Sequence, residues 1–101
     1  MKYQLVVQLT EDIGLDKLIS IEDLLIQKLS FNTEVDGHDI GMGEMNIFIY
    51  TDSPEELLQE ILSILKYDPY IYAVIKVAFR EVDKDPYTCL WPKDLKNFSV
   101  I

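Results

Sequence analysis

The chain has 101 residues, which predicts one domain over 1–101, and 49% of them are hydrophobic, as in a folded globular protein. Eighteen acidic residues against nine basic ones give a net charge of −9 at pH 7, with no lysine or arginine cluster to offset it. This charge argues against binding to nucleic acid or to anionic membranes. The single cysteine, Cys89, excludes an internal disulfide and predicts a reducing, cytoplasmic location.

The first two predicted elements are a strand and a helix. Residues 2–10 alternate apolar and polar side chains with one apolar intruder, Val6, which is typical of a half-buried strand. Over 16–30 apolar residues recur every three or four positions, which predicts a helix with Asp16 as its N-cap and its end at Phe31. Its outer face would carry four charged residues: Lys17, Glu22, Asp23 and Lys28.

A glycine-rich hairpin is predicted next. Residues 33–40 form an irregular strand, with a bulge at Gly37 because glycine weakens an ordinary strand interior. Residues 41–43, Gly-Met-Gly, predict a three-residue turn, and residues 44–51 predict a third strand whose two faces are both largely apolar. We therefore place this strand inside the sheet, with part of its second face covered.

A second helix and a fourth strand complete the regular pattern. Ser53, Pro54 and Glu56 predict a helix start, in which Ser53 is the N-cap of a capping box, and the helix would run to about Lys66. Residues 67–70 are predicted as a loop and residues 71–82 as a strand.

The order β-α-β-β-α-β over a core of residues 2–82 predicts an α+β fold, the ferredoxin-like plait. This is a four-stranded antiparallel sheet with two helices on one face, and right-handed crossovers place its first and third strands at the centre. Residues 83–101 form a C-terminal extension rich in apolar residues. We expect the extension to pack on the open face of the sheet or to add a strand at its edge, over 97–101.

The predicted hairpin carries an unusual set of polar side chains. One histidine with several carboxylates could ligate zinc, manganese or iron, or could act in acid–base catalysis. The spacing is not diagnostic, because strand alternation puts Asp39 on the opposite face from Asp36 and His38 unless a bulge changes the phase. We therefore predict no catalytic residue, metal or cofactor, and treat these residues as candidate binding residues: Asp36, His38, Asp39, Glu44 and Asn46.

Two aromatic residues of the extension, Tyr87 and Trp91, join this candidate binding set because such side chains are favoured as anchors at protein interfaces. The alternative is that the rings only seal the open face of the sheet. Cys89 is predicted to be a small residue packed under the extension, since no basic cluster is evident nearby to activate its thiol.

One stretch resembles a known group of proteins. Residues 36–48, DGHDIGMGEMNIF, followed by Thr51 and a helix start at Pro54, resemble the DGHxxGxGExNIF hairpin motif of small bacterial proteins, mostly of unassigned function. This resemblance implies a ferredoxin-like fold more than an activity. In size and charge alone, the chain also resembles the small acidic immunity proteins that neutralise polymorphic toxins.

Three hypotheses about function follow. The first is a non-catalytic acidic module that binds a basic protein, such as a toxin domain that it neutralises. The second is a regulatory ferredoxin-like domain that binds a small molecule at its hairpin and acts as a homodimer. The third is an enzyme that uses His38. We rank them in this order, with the enzyme well behind, and so predict a protein that is not an enzyme.

Overall fold

The computed structural model describes residues 1–30 and 32–100. The predicted helix end at Phe31 and the last residue of the predicted edge strand, Ile101, lie outside these residues. A short 3-10 helix, Glu11–Ile13, follows the first strand. The strands and α-helices of the described residues are β1 (Tyr3–Thr10), α1 (Leu15–Lys28), β2 (Glu34–Gly41), β3 (Glu44–Thr51), α2 (Pro54–Leu65), α3 (Pro69–Val74), β4 (Lys76–Glu81) and β5 (Thr88–Trp91).

The strands form one antiparallel sheet in the order β2-β3-β1-β4-β5. Strand β1 lies at its centre and pairs with β3 over its whole length. The predicted α+β class is confirmed, but the described residues give the sheet five strands instead of the predicted four. The added edge strand is β5, which lies earlier in the chain than the predicted 97–101; residues 97–100 are not a strand.

The helices cover one face of the sheet and form the core with it. Alternate residues of the central strands and the apolar stripes of α1 and α2 meet there, as the periods of two and of 3.6 residues require. The fully or nearly buried members of this core include Leu5, Val7, Leu9, Leu18, Leu25, Ile47, Ile49, Leu57, Ile61, Ile71 and Val77.

Two predicted helix caps are wrong in detail. Helix α1 begins after Gly14, whose φ of 87° suits glycine, and Asp16 lies in the first turn instead of capping it. Ser53 does precede α2, but its side chain makes no capping hydrogen bond. Its backbone N–H donates instead to Thr51 Oγ1 at 3.0 Å.

The start of the predicted fourth strand is helical. Asp68 caps α3, since its side chain accepts a hydrogen bond from the backbone N–H of Ile71 at 3.2 Å, and Pro69 occupies the first turn. This local cap outweighs the strand propensity of residues 71–75, and β4 begins only at Lys76.

The hairpin between β2 and β3 has a two-residue turn instead of the predicted three-residue one. Gly41 pairs with Glu44, and the residues between them, Met42 and Gly43, have φ of 54° and 84°. Positive φ at both positions is the requirement of the turn type that matches the twist of a hairpin. The predicted bulge is present: the register shifts between Val35 and Gly37.

The C-terminal extension covers the second face of the sheet. Val6 and Ala78 point away from the helix-facing core yet are 0% exposed. The Ser99 carbonyl accepts a hydrogen bond from Gln8 Nε2 at 3.0 Å, so the chain passes over β1. The extension therefore both adds a strand at the edge and covers the open face.

Candidate functional site

The polar residues of the hairpin do not form one cluster. His38 lies opposite Ile47 on the helix-facing side, whereas Asp39 lies opposite Asn46 on the second face. Asp36 is the extra, exposed residue of the bulge. The structure therefore divides the predicted site between the two faces of the sheet.

On the helix-facing side, His38 contacts α1. Its Nδ1 lies 3.0 and 3.1 Å from the two carboxylate oxygens of Glu22. The Glu22 side chain is 12% exposed and that of His38 29%, so this polar contact is half-buried and joins α1 to β2. Sequence reasoning placed Glu22 on the solvent-facing side of the helix and missed this partner. The sequence does contain a pattern that could have indicated this contact. Glu22 lies three residues after Ile19 and four before Ile26, so it shares one side of the helix with two apolar residues.

On the second face, side-chain amides form a chain of hydrogen bonds. Asn46 Nδ2 donates to Asp39 Oδ1 at 2.9 Å, and Asn46 Oδ1 accepts from Gln8 Nε2 at 3.0 Å. Asn46 is 1% exposed and Gln8 4%. Because Gln8 also donates to the Ser99 carbonyl, these contacts attach the extension to the sheet. Asn46 thus has a structural function that its strand position alone did not reveal.

Tyr87 lies against the far end of the same face. Its hydroxyl donates to Gln4 Oε1 at 3.3 Å, and Arg80 Nε donates to the same oxygen at 2.9 Å. Burial raises the pKa of Tyr87, and the carboxylates of Asp85 and Asp39 add to that rise while the Arg80 guanidinium opposes it. The phenol is therefore neutral at physiological pH and acts here as a hydrogen-bond donor.

The remaining candidate residues lie apart from this network. Trp91 is half-buried on the edge strand, packs against the helix-facing core and lies 5.8 Å from the Tyr72 ring, centroid to centroid. Glu44 is half-buried at the start of β3, opposite Thr10. Cys89 is a free, half-buried thiol.

Residues 1–30 and 32–100 contain no group of three or more histidine, cysteine, aspartate or glutamate side chains that could hold a metal ion. Among the described helices, none combines the length and the apolar character that crossing a bilayer requires. A cavity of about 190 Å³ lies between the helices, lined by Ile21, Leu24, Leu65, Ile71 and others, and not at the hairpin where the second hypothesis places a ligand.

The most distinctive exposed feature joins α1 to the hairpin. Leu15, Ile19 and Ile26 repeat at helical spacing on α1 and stay exposed, as do Ile40 on β2 and Met42 at the turn. We call these five residues the α1–β2 surface. The half-buried contact between Glu22 and His38 lies within it. A further cavity of about 230 Å³ opens at one end of it, lined by Leu25, Ile26, Leu29, Ser30, Thr33 and Val35.

Charge is distributed unequally around this surface. Exposed Asp16 and Asp23 flank Ile19 on α1. The two lysines of α1 lie on its other side: Lys17 Nζ is 2.6 Å from Asp68 Oδ2 beyond α2, and Lys28 lines a cavity together with residues of α2. The side of α1 that faces β2 is therefore apolar and acidic.

No protein-family model matches the chain, and no curated protein matches it. Among solved structures it is similar to a de novo designed protein, Foldit4, at 17% identity, over 82% of this chain and 96% of that chain, with a TM-score of 0.46.

Proposed function

We propose that this protein is a non-catalytic module that binds a basic protein through the α1–β2 surface. The observation that carries the proposal is the segregation on α1, where exposed apolar and acidic side chains share one side and both lysines lie on the other. Exposed apolar side chains grouped in one place are typical of interaction sites, and acidic flanks attract a cationic partner and raise its association rate.

For the fold we propose a ferredoxin-like plait extended by an edge strand. The order β2-β3-β1-β4, with all neighbours antiparallel and α1 and α2 on one face, supports this proposal. A cytoplasmic location is part of the same proposal, and the single cysteine supports it.

The expected strength of binding follows from the exposed side chains. Covering a half-exposed leucine, isoleucine or methionine contributes on the order of 1 kcal/mol. Five such residues supply on the order of 5 kcal/mol, which only matches the lower end of the cost of association, about 4 kcal/mol or more, so the contacts of the acidic residues have to supply most of the net affinity. If the partner is a toxin domain, as the resemblance to immunity proteins implies, tighter binding needs further contacts from the acidic residues.

A matched pair of variants tests the proposal. One neutralises acids beside the surface (Asp16→Asn, Asp23→Asn and Asp36→Asn), and the control neutralises three exposed acids elsewhere (Glu55→Gln, Glu56→Gln and Asp94→Asn). Each is used with the wild type to capture proteins from the cells that make it, and captured proteins are quantified by mass spectrometry.

The expected result is that wild type and control enrich the same protein, with an isoelectric point above about 9, and that the surface variant loses it. Recovery of small metabolites without a protein, enrichment of acidic proteins, or equal loss from both variants would contradict the proposal.

A further inference from the structure

Strand β2 is an edge of the sheet. It pairs with β3 on one side, and no other strand of the described residues pairs with its second side. Natural edge strands are commonly protected by charges, bulges or short length. Here the bulge lies between Val35 and Gly37, so the four residues that follow, 38–41, keep a regular register with β3.

The two sides of that edge differ in chemistry. On the helix-facing side lie His38, whose ring contacts Glu22, exposed Ile40 and, on the adjacent side of α1, Ile19 and Ile26. On the second face lie exposed Asp39 and Glu34, which pair with Asn46 and Tyr50 of β3 in the register. Side chains of a strand point alternately to the two faces of its sheet. A strand added at 38–41 therefore meets Ile40 and the exposed apolar residues of α1 on one face of the sheet, and the Asp39 carboxylate on the other.

We propose that residues 38–41 of β2 receive an extended segment of the basic partner as an added strand, with alternating apolar and cationic side chains. The apolar residues of that segment pack on Ile19 and Ile40, and a lysine or arginine of the segment lies beside Asp39. This inference rests on the proposed function and specifies the interface and the form of the partner.

A second copy of this chain is a poorer occupant of the same edge. Two β2 strands side by side would bring Glu34, Asp36 and Asp39 of both copies together, and like charges across strands are destabilising. The chain already carries a net charge of −9, which adds general repulsion between copies.

Synthetic peptides supply the test. The probe is a nonapeptide of alternating valine and lysine, titrated into full-length ¹⁵N-labelled protein and followed by amide chemical shifts. The first control peptide has the same sequence with N-methyl groups on every second residue, which blocks backbone pairing while side chains and charge are kept. The others are oligolysine of equal charge and an alternating valine–glutamate peptide.

We expect the valine–lysine peptide to shift the amides of 38–41 and of the facing side of α1, with at least tenfold weaker binding by the N-methylated peptide and by oligolysine. Two protein variants with equal charge change locate the site. Ile19→Lys with Ile40→Lys should weaken binding at least tenfold, and the control Ser63→Lys with Tyr67→Lys, on α2 and the loop beyond it, should weaken it less than threefold.

Several outcomes would overturn the inference. Equal binding by the N-methylated peptide would exclude strand addition, and shifts confined to another surface, or equal weakening by both variants, would exclude this edge. A wild-type dimer by analytical ultracentrifugation that Ile40→Lys converts to a monomer would assign the edge to a second copy. Each of these leaves the proposed function standing, because the capture experiment with acid-neutralised variants decides that separately.

Discussion

The buried amides of the second face allow a quantitative prediction. Asn46 and Gln8 are joined by a hydrogen bond at 3.0 Å and are both nearly inaccessible to water. Replacing Asn46→Leu keeps the approximate volume of the side chain but leaves one N–H of Gln8 buried without its acceptor. An unsatisfied buried donor costs about 1–3 kcal/mol.

We therefore expect Asn46→Leu to lower the free energy of unfolding by about 2 kcal/mol, which for a domain of this length corresponds to roughly 8–16 °C in melting temperature. Gln8→Leu should cost a similar amount, because the Asn46 carbonyl oxygen then lacks its donor. In Asn46→Leu the Asp39 carboxylate also loses the hydrogen bond that it accepts from Asn46. Since Asp39 is exposed on the edge strand, water can replace that donor.

The double variant Gln8→Leu/Asn46→Leu decides whether this reasoning holds. Removing both partners leaves no buried amide, and replacing both by apolar groups can be nearly neutral. Because Gln8→Leu also removes the donor of the Ser99 carbonyl, we expect the double variant to be less stable than the wild type but more stable than the sum of the single losses, with a coupling energy between the sites of at least about 1 kcal/mol. The assay is urea unfolding followed by circular dichroism, with the slope m unchanged. Additive losses in the double variant would refute the argument.

Three further predictions concern the turn, the third helix and the core. Met42 is 77% exposed at a φ of 54°, so Met42→Asn should raise the urea midpoint by stabilising the turn by about 0.5–1 kcal/mol, whereas no change would mean that the turn differs from the one described. The Lys17 ammonium, and then the Ile71 N–H, hold the pKa of Asp68 below its ordinary value, so the stability they add is present above that value and is lost as the pH falls through the folded pKa. Asp68→Asn should consequently be less stable than the wild type at pH 7 and should lose less stability below a pH of about 4. Thermal melts from pH 2 to 7 measure this, and a decrease in melting temperature at low pH equal to that of the wild type would contradict it. Leu25 is fully buried, and Leu25→Ala should cost about 2–5 kcal/mol in the same urea assay, a smaller loss arguing against its place in the core.

Sequence patterns predicted the central elements well. Strand β3 begins and ends where it was predicted, β1 begins one residue later, and α2 starts at Pro54 as expected. In these segments the hydrophobic pattern continues over many residues, and a turn or helix-start motif marks the boundary. Local preference and tertiary packing therefore favour the same structure.

The misplaced elements are those in which a short local signal competes with a longer apolar run. Residues 71–74 are apolar and suit a strand, but the Asp68 cap and Pro69 nucleate a helical turn first. Strand β5 is only four residues long, and its pairing with β4 depends on a register shift that no periodicity reveals. The contacts of the candidate binding residues were not predicted for a related reason: strand alternation reveals neither the contact between β2 and α1 nor the path of the extension over β1.

The position of the extension determines which surfaces of the sheet stay accessible to a partner. A plait that dimerises through its open sheet face needs that face accessible, but here Val6 and Ala78 are fully buried and Ser99 is bonded to Gln8. At the opposite end, β5 pairs with β4 and occupies that edge of the sheet. The surface that we propose for a partner, the β2 edge with the adjoining side of α1, stays accessible. Since this surface is both apolar and acidic, its chemistry favours a cationic protein over a second copy of an acidic chain.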